Sequence, residues 1–145
     1  MLLNDGRLGL IDYGQVKRMA LEERIVYAKL MIAHSRFDKE EVIRLHLEEQ
    51  KVLTKRNDRE IAYLHSAFFN DRDTADICQG MNIATFIDYL EAADPMVQLP
   101  EAYLLATRMS FLLRGMGKAF GLQLRMSEMW KQEAQAFLKS QGIDY

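Results

Sequence analysis

Everything after Gly14 reads as helix, while residues 1–14 read as strand, turn and strand. That asymmetry limits the fold more than any other feature of the chain. Leu2-Leu3 is apolar, and Asn4-Asp5-Gly6-Arg7 is a turn signal, because Asp-Gly suits the positive φ angles of a tight hairpin. Leu8-Gly9-Leu10-Ile11 is apolar again and ends at Asp12-Tyr13-Gly14. Two strands alone are only marginally stable in water. The sequence therefore predicts a hairpin over residues 1–12 that is the edge of something larger, and helices over residues 20–142.

The helical part has readable punctuation. Leu21, Ile25, Ala28 and Ile32 fall at i, i+4, i+7 and i+11, one face of a helix over about residues 20–35. Asp38 and Glu41 have capping-box spacing ahead of Val42, Leu45 and Leu47, and Asn57 and Glu60 repeat it ahead of Ile61, Leu64 and Phe68. Asn70-Asp71-Arg72-Asp73 reads as a loop. Phe86, Leu90 and Ala93 mark a short helix that stops before Asp94-Pro95. Pro100 suits the first position of the longest helix, which runs to about Lys118. Ser127 is the expected cap of a last helix carrying Trp130, Ala134, Phe137 and Leu138, with Gly142 just past its end. The pattern predicts roughly six helices and no repeat, linker or domain boundary.

Composition narrows the class. With 145 residues the chain is one domain or a piece of one, able to bury roughly 68–70% of its unfolded surface if it folds alone. Hydrophobic residues at 49% and charged residues at 28% exclude a disordered or low-complexity chain. A formal charge of -2 gives no basic excess for nucleic acid. One Cys permits no internal disulfide and no Cys-based zinc site. No apolar run reaches the roughly 18 residues of a spanning helix, and Asn4, Asp5 and Arg7 interrupt any signal-peptide pattern.

The stretch Asp5-Gly6-Arg7-Leu8-Gly9-Leu10-Ile11-Asp12-Tyr13-Gly14-Gln15-Val16 carries the chemistry. A carboxylate that ends a buried apolar strand must be paired or bound to a cation. By itself Asp12-Tyr13-Gly14 also fits a strand-ending Asp that caps a turn. In its context the run resembles the metal-binding loop of the kinase fold, where Asp-Phe-Gly follows a short hairpin. In its finer form, Gly-Arg-Leu-Gly-Leu-Ile-Asp-Tyr-Gly, it resembles the UbiB/aarF-domain-containing atypical kinase-like family. Gln15-Val16-Lys17, the helix beginning near Leu21, and the stretches Arg108–Gly117 and Trp130–Ala134 are similar to that family as well. Tyr13 departs from the commoner Phe, keeping the ring and adding a hydroxyl.

The resemblance implies the helical C-terminal lobe of a protein-kinase-like fold, mostly α, with a residual hairpin. It implies a parent that binds ATP and Mg²⁺, with Asp12 as the ligand of the Mg²⁺ that bridges the ATP phosphates, Gly14 serving the turn and Tyr13 packing into the lobe. The phosphate-covering loop, the strand lysine, its helix glutamate, the catalytic Asp and the second metal ligand lie N-terminal to the hairpin in that family. No catalytic residue is therefore expected in this chain, which reads as a truncated gene product or a natural short one. The family supports coenzyme Q and isoprenoid-lipid metabolism, by ATPase or phosphoryl-transfer activity, in mitochondria or plastids or at a bacterial membrane. A lipid or membrane-associated partner protein is implied alongside ATP, with no nucleic acid and no transmembrane segment here. The rival from another class is a non-catalytic helical protein-interaction module with Met- and Phe-rich faces.

Other candidates carry bland expectations. His34, His46 and His65 share no ligand spacing and are expected to be ordinary, partly exposed histidines. Cys78 lacks a basic neighbour and is expected to be small and buried or half-buried. The nine Met are expected mainly to fill core, and Gly115, Gly117 and Gly121 to mark a helix end. The Glu40-Glu41 and Glu48-Glu49-Gln50-Lys51 stretches are expected to be solvated.

Overall fold

The computed structural model describes residues 3–7, 9 and 16–145. Seven α-helices, a π-helical turn and a small two-stranded sheet make up the described fold. In chain order these are α1 (Leu21–Ser35), α2 (Lys39–Arg44), the π turn (Leu45–Glu49), β1 (Leu53–Thr54) and α3 (Arg59–Asn70). Then come α4 (Ala75–Cys78), α5 (Ile83–Ala93), β2 (Met96–Gln98), α6 (Glu101–Ala119) and α7 (Met126–Ser140). Among the described residues no helix is long and apolar enough to cross a membrane.

The N-terminal turn forms as its residues dictate. Leu3 N–H donates to the Arg7 carbonyl at 2.8 Å, and Gly6 N–H to the Leu3 carbonyl at 3.0 Å. Gly6 has φ +83°, the left-handed angle a three-residue hairpin loop needs. The strands expected on either side rest largely on residues outside the described ones. The sheet that is seen lies elsewhere: β1 pairs antiparallel with β2, Leu53 opposite Gln98 and Thr54 opposite Met96, in a part of the chain expected to be helix and loop.

Two apolar clusters form the core. One joins Leu30, Met31 and Ile32 of α1 to Val42, Leu45, Ala134 and Leu138, so α7 lies along α1. The other gathers Phe68, Ile77, Phe86 and Leu90 around α3, with Phe111 of α6 against it. Phe68 makes edge-on contacts with Phe86 at 4.9 Å and Phe111 at 5.1 Å. α3 is the shared element, packing on α2, α5 and α6.

Helix starts confirm the capping logic and correct two of its assignments. Asp38 accepts from Glu41 N–H, as its spacing implied. At α3 the cap is Asp58 rather than Asn57, accepting from Glu60 and Ile61 N–H at 2.9 and 3.1 Å. Asn57 is taken up by a left-handed turn at φ 53°. Ser127 does not cap α7 but lies inside it, fully buried. Its N–H donates to Asp71 Oδ1 at 2.8 Å, and Met126 N–H donates to the Asp71 carbonyl at 3.1 Å. A carboxylate far back in the chain thus supplies the negative group that the helix start favours.

Asp71 also holds Arg72. The Arg72 guanidinium reaches Asp71 Oδ2 at 2.9 Å, Asp76 Oδ2 at 3.0 Å and Tyr63 Oη at 3.1 Å, and both Asp71 and Arg72 are buried. Arg125 Nε stands 3.9 Å from the same Asp71 Oδ2. The Phe37 ring covers both arginines, 5.0 Å from Arg72 and 4.3 Å from Arg125, from a left-handed backbone at φ 56° that a bulky residue seldom adopts. The expected loop is therefore a buried ionic joint between α3, α4 and α7.

Asp71→Ala is expected to destabilise the fold by about 3–5 kcal/mol, because it leaves a buried arginine short of its charge partner and removes the α7 cap. Asp58→Ala, which removes a cap alone, should cost about 1 kcal/mol. Urea unfolding followed by circular dichroism measures both. Equal shifts for the two variants would mean that the joint contributes no more than an ordinary cap.

Candidate functional site

Asp12 and Gly14, the residues the motif singles out, lie outside the described residues, as does Tyr13. The described chain resumes at Val16 and runs without regular secondary structure to Ala20, where the Glu23 carboxylate accepts from Ala20 N–H at 2.7 Å and opens α1. Lys17 Nζ lies 2.6 Å from Glu101 Oε1, at the first residue of α6. The stretch that follows the Asp12 motif is thereby tied to the start of α6. Among the described residues no group of three or more His, Cys, Asp or Glu side chains converges to hold a metal.

The cavity bounded by these elements is apolar. It lies open between α1, α6 and α7, with a volume of about 530 Å³. Its walls include Tyr27, Met31, Met109, Leu113, Trp130 and Phe137, and Met19 reaches it from the stretch before α1. The Arg24 guanidinium stands 4.6 Å over the Phe137 ring at its edge. Of the methionines expected to fill core, Met31 and Met126 do so, whereas Met109, Met116 and Met129 are exposed.

The exposure follows from the way α6 is turned. Its buried residues are Ala102, Tyr103, Thr107, Ser110, Arg114 and Gly117, while Leu104, Met109, Leu112 and Met116 face outward. Two contacts fix this orientation. Arg114 is buried and donates from Nη2 to the Phe68 carbonyl at 2.6 Å, closing one of the orphan carbonyls at the end of α3. Gly117 lies so near Leu124 that an added Cβ would stand 2.7 Å from its side chain, so the chain folds back tightly after α6. Gly121 then takes a left-handed φ of +71°, in keeping with the glycine-marked helix end expected here. Periodicity alone misleads at α6, since the face richest in Leu and Met is the outer one.

The histidines correct their expectation outright, for all three are buried. The π turn explains part of this. Gln50 N–H donates to the Leu45 carbonyl at 2.7 Å, and the widened turn sends Leu45, His46 and Gln50 inward together. Gln50, expected on a solvated face, is thus buried. Its Oε1 lies 3.0 Å from His46 Nδ1, and His46 Nε2 lies 3.1 Å from His65 Nδ1. Because Gln50 Oε1 only accepts, neutral His46 carries its proton on Nδ1, and His65 donates from Nδ1 to His46 Nε2. His65 Nε2 is then a bare, buried lone pair without a partner. His34 Nε2 meets Ser66 Oγ at 3.1 Å. The missed signal is that His34 and His65 stand at i+4 from Leu30 and Ile61, on the buried faces of α1 and α3.

Burial sets the charge state of this layer. It pushes His46 down to about 4, with the Gln50 bond opposing, and it pushes His65 down to about 3, helped by neighbouring His46. His34 is likewise lowered by burial to about 3, although Asp71 pulls the other way. Burial works against the charge of Asp71, but His34, Ser127 and Arg72 keep its carboxyl below the ordinary range. Cys78 is buried with a raised thiol pKa, chiefly from burial, and so has no reactive character.

A histidine depressed in the fold binds its proton more readily when unfolded. Its contribution to stability is complete above about pH 6.5 and is lost as the pH falls towards the folded value. Thermal melts between pH 7.5 and pH 4 should therefore drop steeply below about 6.5, at about 1.4 kcal/mol per pH unit for each of the buried histidines. A flat profile to pH 5 would show that the layer admits water and titrates normally.

No family model, no curated protein and no solved structure matches this chain.

Proposed function

We propose that this chain is the C-terminal, helical lobe of an atypical kinase-like protein of the UbiB/aarF kind. In this reading the parent binds Mg-ATP and supports coenzyme Q or other isoprenoid-lipid metabolism, in mitochondria or plastids or at a bacterial membrane. The observation that carries the reading is the run from Asp5 to Val16, with its Asp12-Tyr13-Gly14. Three features support it. The turn at Leu3–Arg7 has hairpin hydrogen bonding. The first helix begins at Leu21, shortly after the motif and with no long activation segment between. The remainder of the described chain is mostly helical. Asp12 holds the cation, which when bound neutralises charge developing on the phosphoryl oxygens. The resemblance gives Gly14 the role of serving the turn, and the Lys17–Glu101 pair joins the stretch after the motif to the start of α6. In the family this reading invokes, the phosphate-covering loop, its lysine and the catalytic Asp come from sequence N-terminal to the hairpin.

A second reading, a non-catalytic helical interaction module, is favoured by one observation, the outward apolar face of α6. The gene upstream of Met1 separates the two. Continuation into a His-x-Asp-x-His-Pro-Gly-Asn-like stretch supports the kinase reading, and a stop codon with a promoter supports the module.

Titration calorimetry of the chain with Mg-ATP should give very weak binding, because positioning groups for the phosphates are lacking. Micromolar, Mg²⁺-dependent affinity would refute that and point to another nucleotide site. In the full-length parent, Asp12→Asn should abolish ATPase activity with the fold intact, since the carboxylate charge is what retains Mg²⁺. Near wild-type turnover in that variant would remove Asp12 from the mechanism.

A further inference from the structure

We infer that the cavity between α1, α6 and α7 is the binding site of a neutral, apolar small molecule carrying one acceptor oxygen, to which the Ser110 hydroxyl donates. At about 530 Å³ the cavity falls within the range of small-molecule sites, which are mostly apolar and hold a few placed polar groups. Of the polar residues that line it, Ser110 alone is buried, at 4% exposure, and its Oγ has no hydrogen-bond partner. A buried hydroxyl without water or a protein partner bears the whole cost of leaving water, and an acceptor supplied from the cavity relieves it. Tyr27 of α1 lines the same cavity, and burial, with the Asp71 charge adding, pushes its phenol above the usual range.

The walls select a neutral occupant. Among the described residues the charged groups that line the cavity are Arg24 and Glu133, one of each sign, and the Arg24 guanidinium is engaged over the Phe137 ring. No field of a single sign there favours an ion. Met31 of α1, Met109 of α6 and Met126 of α7 put a flexible thioether on each of the three helices, so the walls can adapt to an apolar body. Trp130 and Phe137 add ring faces. A helix of another protein does not match the cavity in size: with its side chains it is about 10 Å across, and two turns of it take up roughly 800 Å³. Polar contacts outside the cavity set two of its walls, since Arg114, one turn from Ser110, is bound to the Phe68 carbonyl and Asp71 holds the first turn of α7. The site is in that sense formed before a ligand arrives.

Prodan, a neutral naphthyl ketone whose fluorescence rises and shifts to the blue out of water, tests this with the full chain. It should bind saturably at micromolar concentrations, and excitation of Trp130, the single tryptophan of the chain, should transfer to it. Ala106→Phe, which places a ring in the cavity from a half-buried position on α6, should weaken binding at least tenfold with the far-ultraviolet dichroism unchanged. Ser110→Ala should weaken prodan about threefold to tenfold, the worth of one hydrogen bond, and leave the binding of dimethylaminonaphthalene, which lacks the ketone, unchanged. That variant removes one atom, so the test stays decisive if Ala106→Phe does not fold. Lack of saturable binding, binding that survives in folded Ala106→Phe, or an equal effect of Ser110→Ala on both probes would overturn the inference. So would tighter binding of the anion laurate than of prodan, or loss of prodan binding as the chain concentration rises, which would mean that a second copy covers the cavity. None of these readouts depends on Asp12 or on nucleotide.

Discussion

Asp71 holds a negative charge where solvent does not reach, and the arrangement of the helices depends on it. A buried carboxylate is tolerated only when every side of it is answered. Here Arg72 answers one oxygen and the first turn of α7 the other, while Arg125 stands beyond and Phe37 covers both arginines. α7 is positioned by this charge as well as by packing on α1, and it forms one wall of the open cavity between α1, α6 and α7.

Polar contacts also set how the two apolar clusters meet. α3 belongs to the Phe68 cluster, yet where it faces α1 and the π turn its contacts are His65 with His46 and Ser66 with His34. Such a layer is directional in a way that Leu-on-Leu packing is not, since each ring has one donor and one acceptor to place. It selects one register between α1, the π turn and α3. Arg114 does the same for α6, and the consequence there is an apolar face left outside.

What could be read from the sequence divides along physical lines. Local signals were legible: the helices at 21–35, 83–93 and 101–119, the Asp38 cap, the break before Pro95, and the turn at Gly6. These depend on a few neighbouring residues. What was illegible depends on partners far away in the chain. The α7 cap comes from Asp71, so Ser127, which has the right chemistry in the right place, is not needed for it. The histidines look like surface residues until the π turn brings His46 to His65. The β1–β2 pair is too short to have a sequence pattern of its own. Of the candidate site, Asp12 and Gly14 lie outside the described residues, and the nearest described contact after them in the chain is the pair between Lys17 and Glu101.

The small sheet does more than its length suggests. Asp94, buried at the end of α5, accepts from Thr54 Oγ1, Arg56 N–H and Asp58 N–H at 2.7, 2.7 and 2.8 Å, and Lys55 N–H donates to the Pro95 carbonyl at 3.0 Å. Burial opposes the Asp94 charge, but these donors keep its carboxyl below the usual range. Together with β1 and β2 they clasp residues 53–58 to residues 94–98, so α3, α4 and α5 hang between as one closed loop. The entropy of closing a loop grows only slowly with its length, and a single clasp suffices for the whole segment. Opening it would loosen the connections into α3 and out of α5, while α3 itself stays held by α2, α6 and the Asp71 joint, so amide exchange at residues 53–58 and 94–98 reports on the clasp and exchange in α3 on its packing.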